Sequence, residues 1–442
     1  MTNRTYNHGS INVLLVGGGG REHALAVALK RSPKLGKLFV THPGNPGLAG
    51  LGIGVDVPVS GKELYRLVQF CDKHDVGLVV IGPEDPLAEG YADALSKRAD
   101  GGFRAVFGPG KLGAQLEADK GFAKQLMRAA SIPTGDGRVF TDYERAVEFY
   151  STRSEPMVVK AAGLAKGKGV VVPSTIEEGL VALEGMMQRL EFGNAGKKVL
   201  IEERLQGTEV SVLAVVDGQS ILILPPCQDH KRLGEGDAGP NTGGMGAFCP
   251  AGTIDDETMR VIETEVFVPI MDALRREEID FRGVLYAGLM LTPGGPKVLE
   301  FNTRFGDPEC QPLFELLESD PLELMLAASE GRLDEVDVRF SESHAVCIVL
   351  ASEGYPQSPR TGDVISGIED AERVEGVRVY HAGTKVEGGK VVTAGGRVLG
   401  VTAVGPDFET ARQRAYRGCE RIEFRGKQYR RDIGASKAAV SR

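Results

Sequence analysis

The sequence predicts an α/β protein: an open parallel-sheet unit at the N-terminus, a larger central unit carrying a glycine-rich mobile flap, and a small α+β unit at the C-terminus. Three observations carry this. Residues 11–16, 38–40, 78–81 and 105–107 are continuous apolar runs separated by helix-length segments, the pattern of parallel strands covered on both faces. Each run ends in a Gly/Pro loop, and open α/β sheets bind ligands at that edge. The 59 glycines in 442 residues are nearly twice the usual share of about 7%, and the excess lies in loops, where close backbone approach to a ligand is one use.

Composition narrows the function. Hydrophobic content of 42% and charged content of 26% are those of a water-soluble chain with several packed cores. A net charge of −9 with no Lys/Arg run argues against nucleic acid, which needs a basic footprint. No apolar run reaches the ~18–20 residues of a membrane span. Residues 1–10 lack the apolar stretch of a signal peptide. The six cysteines are scattered without zinc or redox spacing and read as reduced thiols, so the expected location is cytoplasmic.

The elements follow in order. Gly17-Gly18-Gly19-Gly20 feeds a helix from about Arg21, an anion site at a helix N-terminus. Gly17-x-Gly19-x-x-Glu22 lacks the third glycine of a dinucleotide fingerprint, and no acid follows the second strand, which argues against a nicotinamide. Residues 111–135 read as helix up to Ser131-Ile132-Pro133. Lys120 and Lys124 share one face of it, and Lys124 is expected in solvent. After a strand at 157–160, the run Gly163-Leu164-Ala165-Lys166-Gly167-Lys168-Gly169-Val170 makes a flexible cationic hairpin loop that can fold over phosphates. Strands at 198–205 and 209–216 flank a connector able to offer main-chain groups to an adenine edge. The run 227–250 is too polar and glycine-rich for core and too long for a simple turn, so a binding loop is expected. His230 within it has no second metal ligand at suitable spacing.

A helix near 256–276 and a strand at 283–291 precede the stretch Lys297-Val298-Leu299-Glu300-Phe301-Asn302-Thr303-Arg304. Strand alternation places Glu300 and Asn302 on one face and sends Leu299 and Phe301 into the core. Hard oxygen donors on one face suit Mg²⁺ completed by substrate phosphates. A helix is expected from Glu309 to about Gly331. Residues 340–442 carry strands at 345–350, 378–381 and 398–404, a helix near 407–420, and a frayed tail from 435.

Glu300-Phe301-Asn302-x-Arg304-Phe305-Gly306-Asp307-Pro308-Glu309 resembles the metal-binding strand and following loop of ATP-grasp ligases. In this wording it is similar to the phosphoribosylamine–glycine ligase family. The similarity runs in the family's order over about residues 11–434. It includes Gly19-Gly20-Arg21-Glu22-His23-Ala24, Gln228-Asp229-His230-Lys231-Arg232, Gly239-Pro240-Asn241-Thr242-Gly243-Gly244-Met245-Gly246 and Gly395-Gly396-Arg397-Val398-Leu399-Gly400. Departures are Ala118-Asp119 for the family's Gly-Ser, Ala162 for an acid, Lys166 for a small residue, and Arg204 for an aromatic. The loops of other ATP-grasp carboxylate–amine ligases and carboxylases lack the Gln-Asp-His-Lys-Arg and Asn-Thr-Gly-Gly-Met-Gly runs.

The resemblance implies ATP-dependent ligation of glycine to 5-phosphoribosylamine through glycyl phosphate. The products are glycinamide ribonucleotide, ADP and phosphate, in de novo purine biosynthesis. It implies an N-terminal domain over 1–112, an ATP-grasp domain over 113–336 with its flap at about 133–202, and a C-terminal domain over 337–442. It assigns Mg²⁺ or Mn²⁺ to Glu300 and Asn302. ATP goes to Lys120, Lys160, Gly163, Gly167, Lys168, Gly169, Glu202, Glu203, Leu205 and Glu209. The other substrates go to Gly18, Gly19, Gly20, Arg21, Asn45, Glu84, Asp229, Asn241, Gly243, Gly244, Arg304 and Asp307. Lys160 and Arg304 are the expected catalytic residues, Arg304 holding the glycine carboxylate because a planar fork can take two oxygens. A transient contact with the enzyme that supplies phosphoribosylamine is also expected.

Overall fold

Five parallel strands form the N-terminal sheet in the order Ile53–Gly54, Leu35–Val40, Ile11–Val16, Val76–Ile81, Ala105–Phe107. The four expected strands are present, and the two-residue edge strand Ile53–Gly54 is added. The structure is a computed structural model that describes residues 9–165 and 167–435. Residues 436–442, the bulk of the tail expected to fray, and Lys166 of the flap lie outside it. Ile11–Val16 is paired on both sides, and its Val13 and Leu15 enter one core while Leu14 and Val16 enter another. The strand order reverses between Ile11–Val16 and Val76–Ile81. The loops after these two strands, Gly17–Gly20 and Gly82–Glu84, therefore open at the switch point of the sheet.

The central region holds two antiparallel sheets. One orders Gly137–Phe140, Val199–Glu202, Val158–Ala161 and Val170–Val171. Its apolar face packs on helices Tyr143–Ser151 and Ile176–Met187. The other orders Ile221–Ile223, Thr208–Asp217, Arg282–Thr292 and Gly295–Asn302. Helices Lys120–Ala129 and Val268–Arg276 bury their apolar faces against it. The helix expected through 111–135 is two, Gln115–Ala118 and Lys120–Ala129. Asp119 between them is extended and caps the second by accepting from the Gly121 and Phe122 amides. The helix expected after Glu309 also splits, into Cys310–Leu316 and Pro321–Glu330. Asp320 caps the latter, and Pro321 takes the first helical position, where a missing N–H costs nothing.

Strict alternation fails at one place that matters. Gly288 pairs with Glu300 but Leu289 pairs with Val298, so Leu299 is an extra, bulged residue. Val298 and Phe301 enter the core, whereas Leu299, expected there, does not. The bulge still leaves Glu300 and Asn302 on one face.

The C-terminal sheet orders Gln228–Asp229, Gly246–Cys249, His344–Ala351, Arg397–Gly405 and Val377–His381, with helix Phe408–Arg421 packed on it. Two of its five strands come from the polar 227–250 run. The loop between them is thus anchored at both ends on a rigid sheet. Sequence reasoning missed Gly246–Cys249 and the hairpin Thr384–Glu387/Lys390–Thr393. The six cysteines are all buried thiols. No helix among the described residues is long and apolar enough to cross a membrane.

Candidate active site

The bulged strand presents Glu300 and Asn302 on one face, where three lysines act on Glu300. Burial pushes the Glu300 carboxyl up, but Lys231, Lys120, Lys160 and Arg304 together hold it down at about 2. Lys231 Nζ stands 4.0 Å from Glu300 and 2.5 Å from Glu209. An ionised carboxylate beside an amide oxygen is a hard donor set. Among the described residues no group of three or more His, Cys, Asp or Glu side chains could hold a metal. A divalent cation here would rest on Glu300 and Asn302, with the rest of its shell from phosphates and water, the arrangement Mg²⁺ favours.

Lys160, on the strand Val158–Ala161, donates to the carbonyl of the bulged Leu299 at 3.0 Å and forms an ion pair with Glu202. The bulge thus ties the Lys160 ammonium beside Glu300 and Asn302. Lys124, expected in solvent, is 2% exposed and stands 2.9 Å from the other Glu202 oxygen. Glu202, expected at the ATP site, has its carboxylate between these two lysines. Lys120 is the first helical residue, its amide donates to Ala162 O, and its charge reaches Glu300. Glu203 is exposed and Leu205 half-buried on the connector, where the Glu203 amide is taken by Asp136 O at 2.6 Å. Glu209 faces Lys231.

The flap loop follows Lys160. A side chain on Gly163 would meet the Ala195 backbone at 2.8 Å, and one on Gly169 would meet Ala165 at 2.6 Å; Gly167 has φ +72°. These positions require glycine for the loop to lie as it does. Lys168 Nζ donates to Pro356 O at 2.8 Å, and Asn241 Nδ2 donates to Val170 O at 3.3 Å. The flap therefore leans on the Asn241–Gly244 loop and on the C-terminal unit, where the Lys168 ammonium meets a carbonyl.

A chain of alternating charges crosses from the first glycine loop to the metal strand. Glu22 accepts from the Gly19 amide at 2.6 Å, and Arg21 pairs with Glu22 at 2.7 Å. Glu84 lies 3.7 Å from Arg21 and 3.3 Å from Arg304. Arg304 pairs with buried Glu117 at 2.8 Å, and Glu117 accepts from the Thr303 amide at 2.8 Å. Arg304 thus has one contact on each nitrogen: Nη1 donates to Phe305 O at 3.3 Å, while Nη2 and Nε meet Glu117 and Glu84 as ion pairs, Nε with no aligned hydrogen bond among the described residues. A guanidinium has five N–H groups, so two remain for a ligand. Its pKa is raised, against burial, by Glu117 and Glu84. Arg21 also donates to Phe305 O, at 3.2 Å.

Gly20 brings the helix within reach of Gln311 and Asp307, and Asp307 is held by Arg397 at 2.9 Å. Arg397 also donates to the carbonyls of Asp307 and Gly243. Gly18 abuts His42, leaving no room for a side chain. Asn45 departs from its expected role. Its amide donates to Gly18 O and His381 O at 3.0 Å, and its oxygen accepts from the Gly47 amide, so the buried side chain joins the glycine loop to the C-terminal unit.

Asp229 closes the pocket from the C-terminal sheet. Its Oδ1 is buried without a hydrogen-bond partner among the described residues. Burial, with Glu309 nearby, pushes its carboxyl well above the usual range. Gly244 has φ +111°, and a side chain there would strike Pro308 at 2.5 Å and Asp229 at 2.8 Å. Glu309 accepts from Tyr286 at 2.9 Å and from Ser211 at 3.2 Å. Glu117, Lys124, Lys231, Tyr286 and Arg397 are site residues that sequence reasoning left unassigned. Lys231 and Arg397 stood inside quoted motifs; Glu117, Lys124 and Tyr286 sit in ordinary helix and strand patterns with no signal beyond a polar residue among apolar ones.

Phosphoribosylglycinamide synthetase domain models match the chain in three consecutive pieces: the N domain over residues 11–117, the ATP-grasp (A) domain over 118–310 and the C domain over 345–436. The chain belongs to the phosphoribosylglycinamide synthetase family. A phosphoribosylamine–glycine ligase of Rhodopirellula baltica is 50% identical over 97% of this chain and 98% of its own. The trifunctional purine biosynthetic protein adenosine-3 of Gallus gallus is 48% identical over 96% of this chain and 42% of its own. A crystal structure of the Thermotoga maritima phosphoribosylamine–glycine ligase superposes with TM-score 0.80 at 35% identity, covering 96% and 100% of the two chains. A biotin carboxylase domain from Hydrogenobacter thermophilus, at TM-score 0.71 and 15% identity over 94% and 91%, shares the fold alone. As a member of the phosphoribosylglycinamide synthetase family, the chain is an ATP-grasp carbon–nitrogen ligase of purine biosynthesis.

Proposed function

We propose that the chain joins glycine to 5-phosphoribosylamine through glycyl phosphate, with the steps placed on the residues above. The observation that carries this reading is the ionised Glu300, beside Asn302, on which Lys231, Lys120, Lys160 and Arg304 all act. A glycine carboxylate oxygen attacks the γ-phosphorus of ATP, and the β–γ bridging oxygen leaves with ADP. The amine of phosphoribosylamine then attacks the acyl carbon. The C–O bond breaks, phosphate leaves with that oxygen, and the amine loses a proton. A divalent ion, when bound, offsets charge on the transferring phosphoryl group.

The chain's own part is positioning and electrostatics. Lys160 and Lys120 direct ammonium groups at the phosphates, with Lys160 fixed by Glu202 and Leu299. The two remaining N–H groups of Arg304 hold the glycine carboxylate. Gly244 and Pro308 crowd the side of the pocket next to Asp229, which suits an amino acid with no side chain. The glycine loop Gly18–Gly20 and Arg21, at the switch point, face the phosphoribosylamine. Glu203 and Leu205 line the connector for adenine, and the flap glycines let the loop close over phosphates.

ADP release measured with each substrate withheld in turn tests the reading. Turnover requires glycine and phosphoribosylamine together. Equal ADP release with bicarbonate or formate in place of glycine would contradict it and favour another ligase of this fold.

A further inference from the structure

We propose that Lys124 is a positioning residue for nucleotide: by holding one oxygen of Glu202, it leaves Lys160 with a charge that a polyphosphate offsets. This rests on the assignment of Lys160 to the phosphates. Glu202 is a single carboxylate, 4% exposed, shared by two buried ammonium groups. Lys124 Nζ donates to Thr134 Oγ1 and Gly135 O, both at 2.8 Å, and Thr134 donates onward to Val298 O at 2.7 Å on the metal strand. These bonds fix the ammonium in place. Its contact with Glu202 Oε2 is one of charge: among the described residues that oxygen accepts no aligned hydrogen bond.

Two cations and one anion leave the trio at +1 in a site where burial makes net charge costly. Lys160 makes two contacts, with Glu202 and Leu299 O, so one of its three N–H groups has no partner among the described residues. Without Lys124, Glu202 and Lys160 would be a self-sufficient neutral pair. With it, the excess positive charge sits on the face shared with Glu300. The ionised Glu300 faces that charge, and with a divalent cation on Glu300 the +1 of the trio is what a polyphosphate would meet.

Substitution counts the charge directly. Lys124→Met takes the trio to zero; adding Glu202→Gln returns it to +1; Lys124→Arg keeps it at +1. The expected result is a KM for ATP raised about tenfold in Lys124→Met, with a smaller rise in melting temperature on adding a non-hydrolysable ATP analogue and Mg²⁺. The KM for glycine moves less than about twofold in the same variant. The double variant recovers part of the ATP affinity, and Lys124→Arg retains most of it. Should Lys124→Met not fold, Lys124→Gln keeps donors for Thr134 and Gly135 and drops the charge, giving the same readout.

A wild-type KM for ATP in the neutral variants, or a double variant weaker than the single, overturns the proposal and leaves Lys124 a packing residue. Lys160→Met separates the two layers. If it leaves the KM for ATP unchanged, the phosphate role of Lys160 itself is wrong. If it raises that KM while Lys124→Met does not, the inference about Lys124 alone fails.

Discussion

Replacing Arg304 by lysine keeps a positive charge and removes the planar fork, and the structure sets what that costs. Arg304 uses one contact on each nitrogen, to Glu84, Glu117 and Phe305 O, and keeps two N–H groups for a carboxylate. A lysine has three N–H groups on one atom. Buried Glu117, already drawn to Arg304 at 2.8 Å, takes that ammonium first, so nothing planar is left for glycine. The loss is that of a charged hydrogen bond, about 1.5–3 kcal/mol, or roughly 10- to 150-fold in kcat/KM for glycine. Glu84 keeps Arg21 at 3.7 Å, so the fold should survive. The assay is steady-state ADP release against glycine at saturating ATP and phosphoribosylamine. The KM for ATP should move much less. A variant that binds glycine normally and loses affinity only for phosphoribosylamine would assign Arg304 to the other substrate and refute the reasoning.

Glu300→Ala should abolish turnover and weaken Mg²⁺–ATP more than it harms folding, and Asn302→Ala should do so less severely; magnesium titration of activity checks both. Glu300 titrates at about 2, so the stability its ionised form adds is complete above its ordinary pKa of 4.5 and is lost as pH falls towards 2. Activity should accordingly show no Glu300 inflection near 4.5, whereas Lys231→Met should move the Glu300 pKa upward and bring an acid limb into view in a pH–rate profile. Amide exchange in the flap should slow when an ATP analogue binds, since closure orders it, and equal exchange with and without analogue would exclude a closing flap. Lys160→Ala should cost more activity than Lys168→Ala, because Lys160 sits on a strand tied to Leu299 while Lys168 reaches Pro356.

The sequence displayed what depends on long, local patterns. Continuous apolar runs gave the parallel sheet because a strand buried on both faces, such as Ile11–Val16, has no polar alternation to hide it. Glu300 and Asn302 were legible because period-two alternation survives on either side of a bulge. The bulge was not legible, and it decides that Leu299 offers its carbonyl to Lys160 in place of a side chain to the core. Lys124 was misplaced because its burial is created by Glu202, 78 positions away, and helical spacing carries no trace of such a partner. Asn45 resembled a loop ligand, yet its side chain bonds to Gly18, Gly47, His381 and Ala382, the last two over 300 residues later. Strand Gly246–Cys249 was hidden in a polar, glycine-rich run because its longer pairing partner, His344–Ala351, lies well outside that run. Side-chain charge balance and long-range pairing belong to the folded chain, and no window of sequence contains them.

Transfer of isotope from glycine to phosphate tests the central claim most directly. With both carboxylate oxygens of glycine labelled with ¹⁸O, attack on the γ-phosphorus and departure of phosphate from the acyl carbon carry one labelled oxygen into each inorganic phosphate formed, and leave one in the amide of the product. Mass spectrometry of the phosphate should show one ¹⁸O per turnover. Unlabelled phosphate, with the second label lost to water or both labels kept in recovered glycine, would contradict the account.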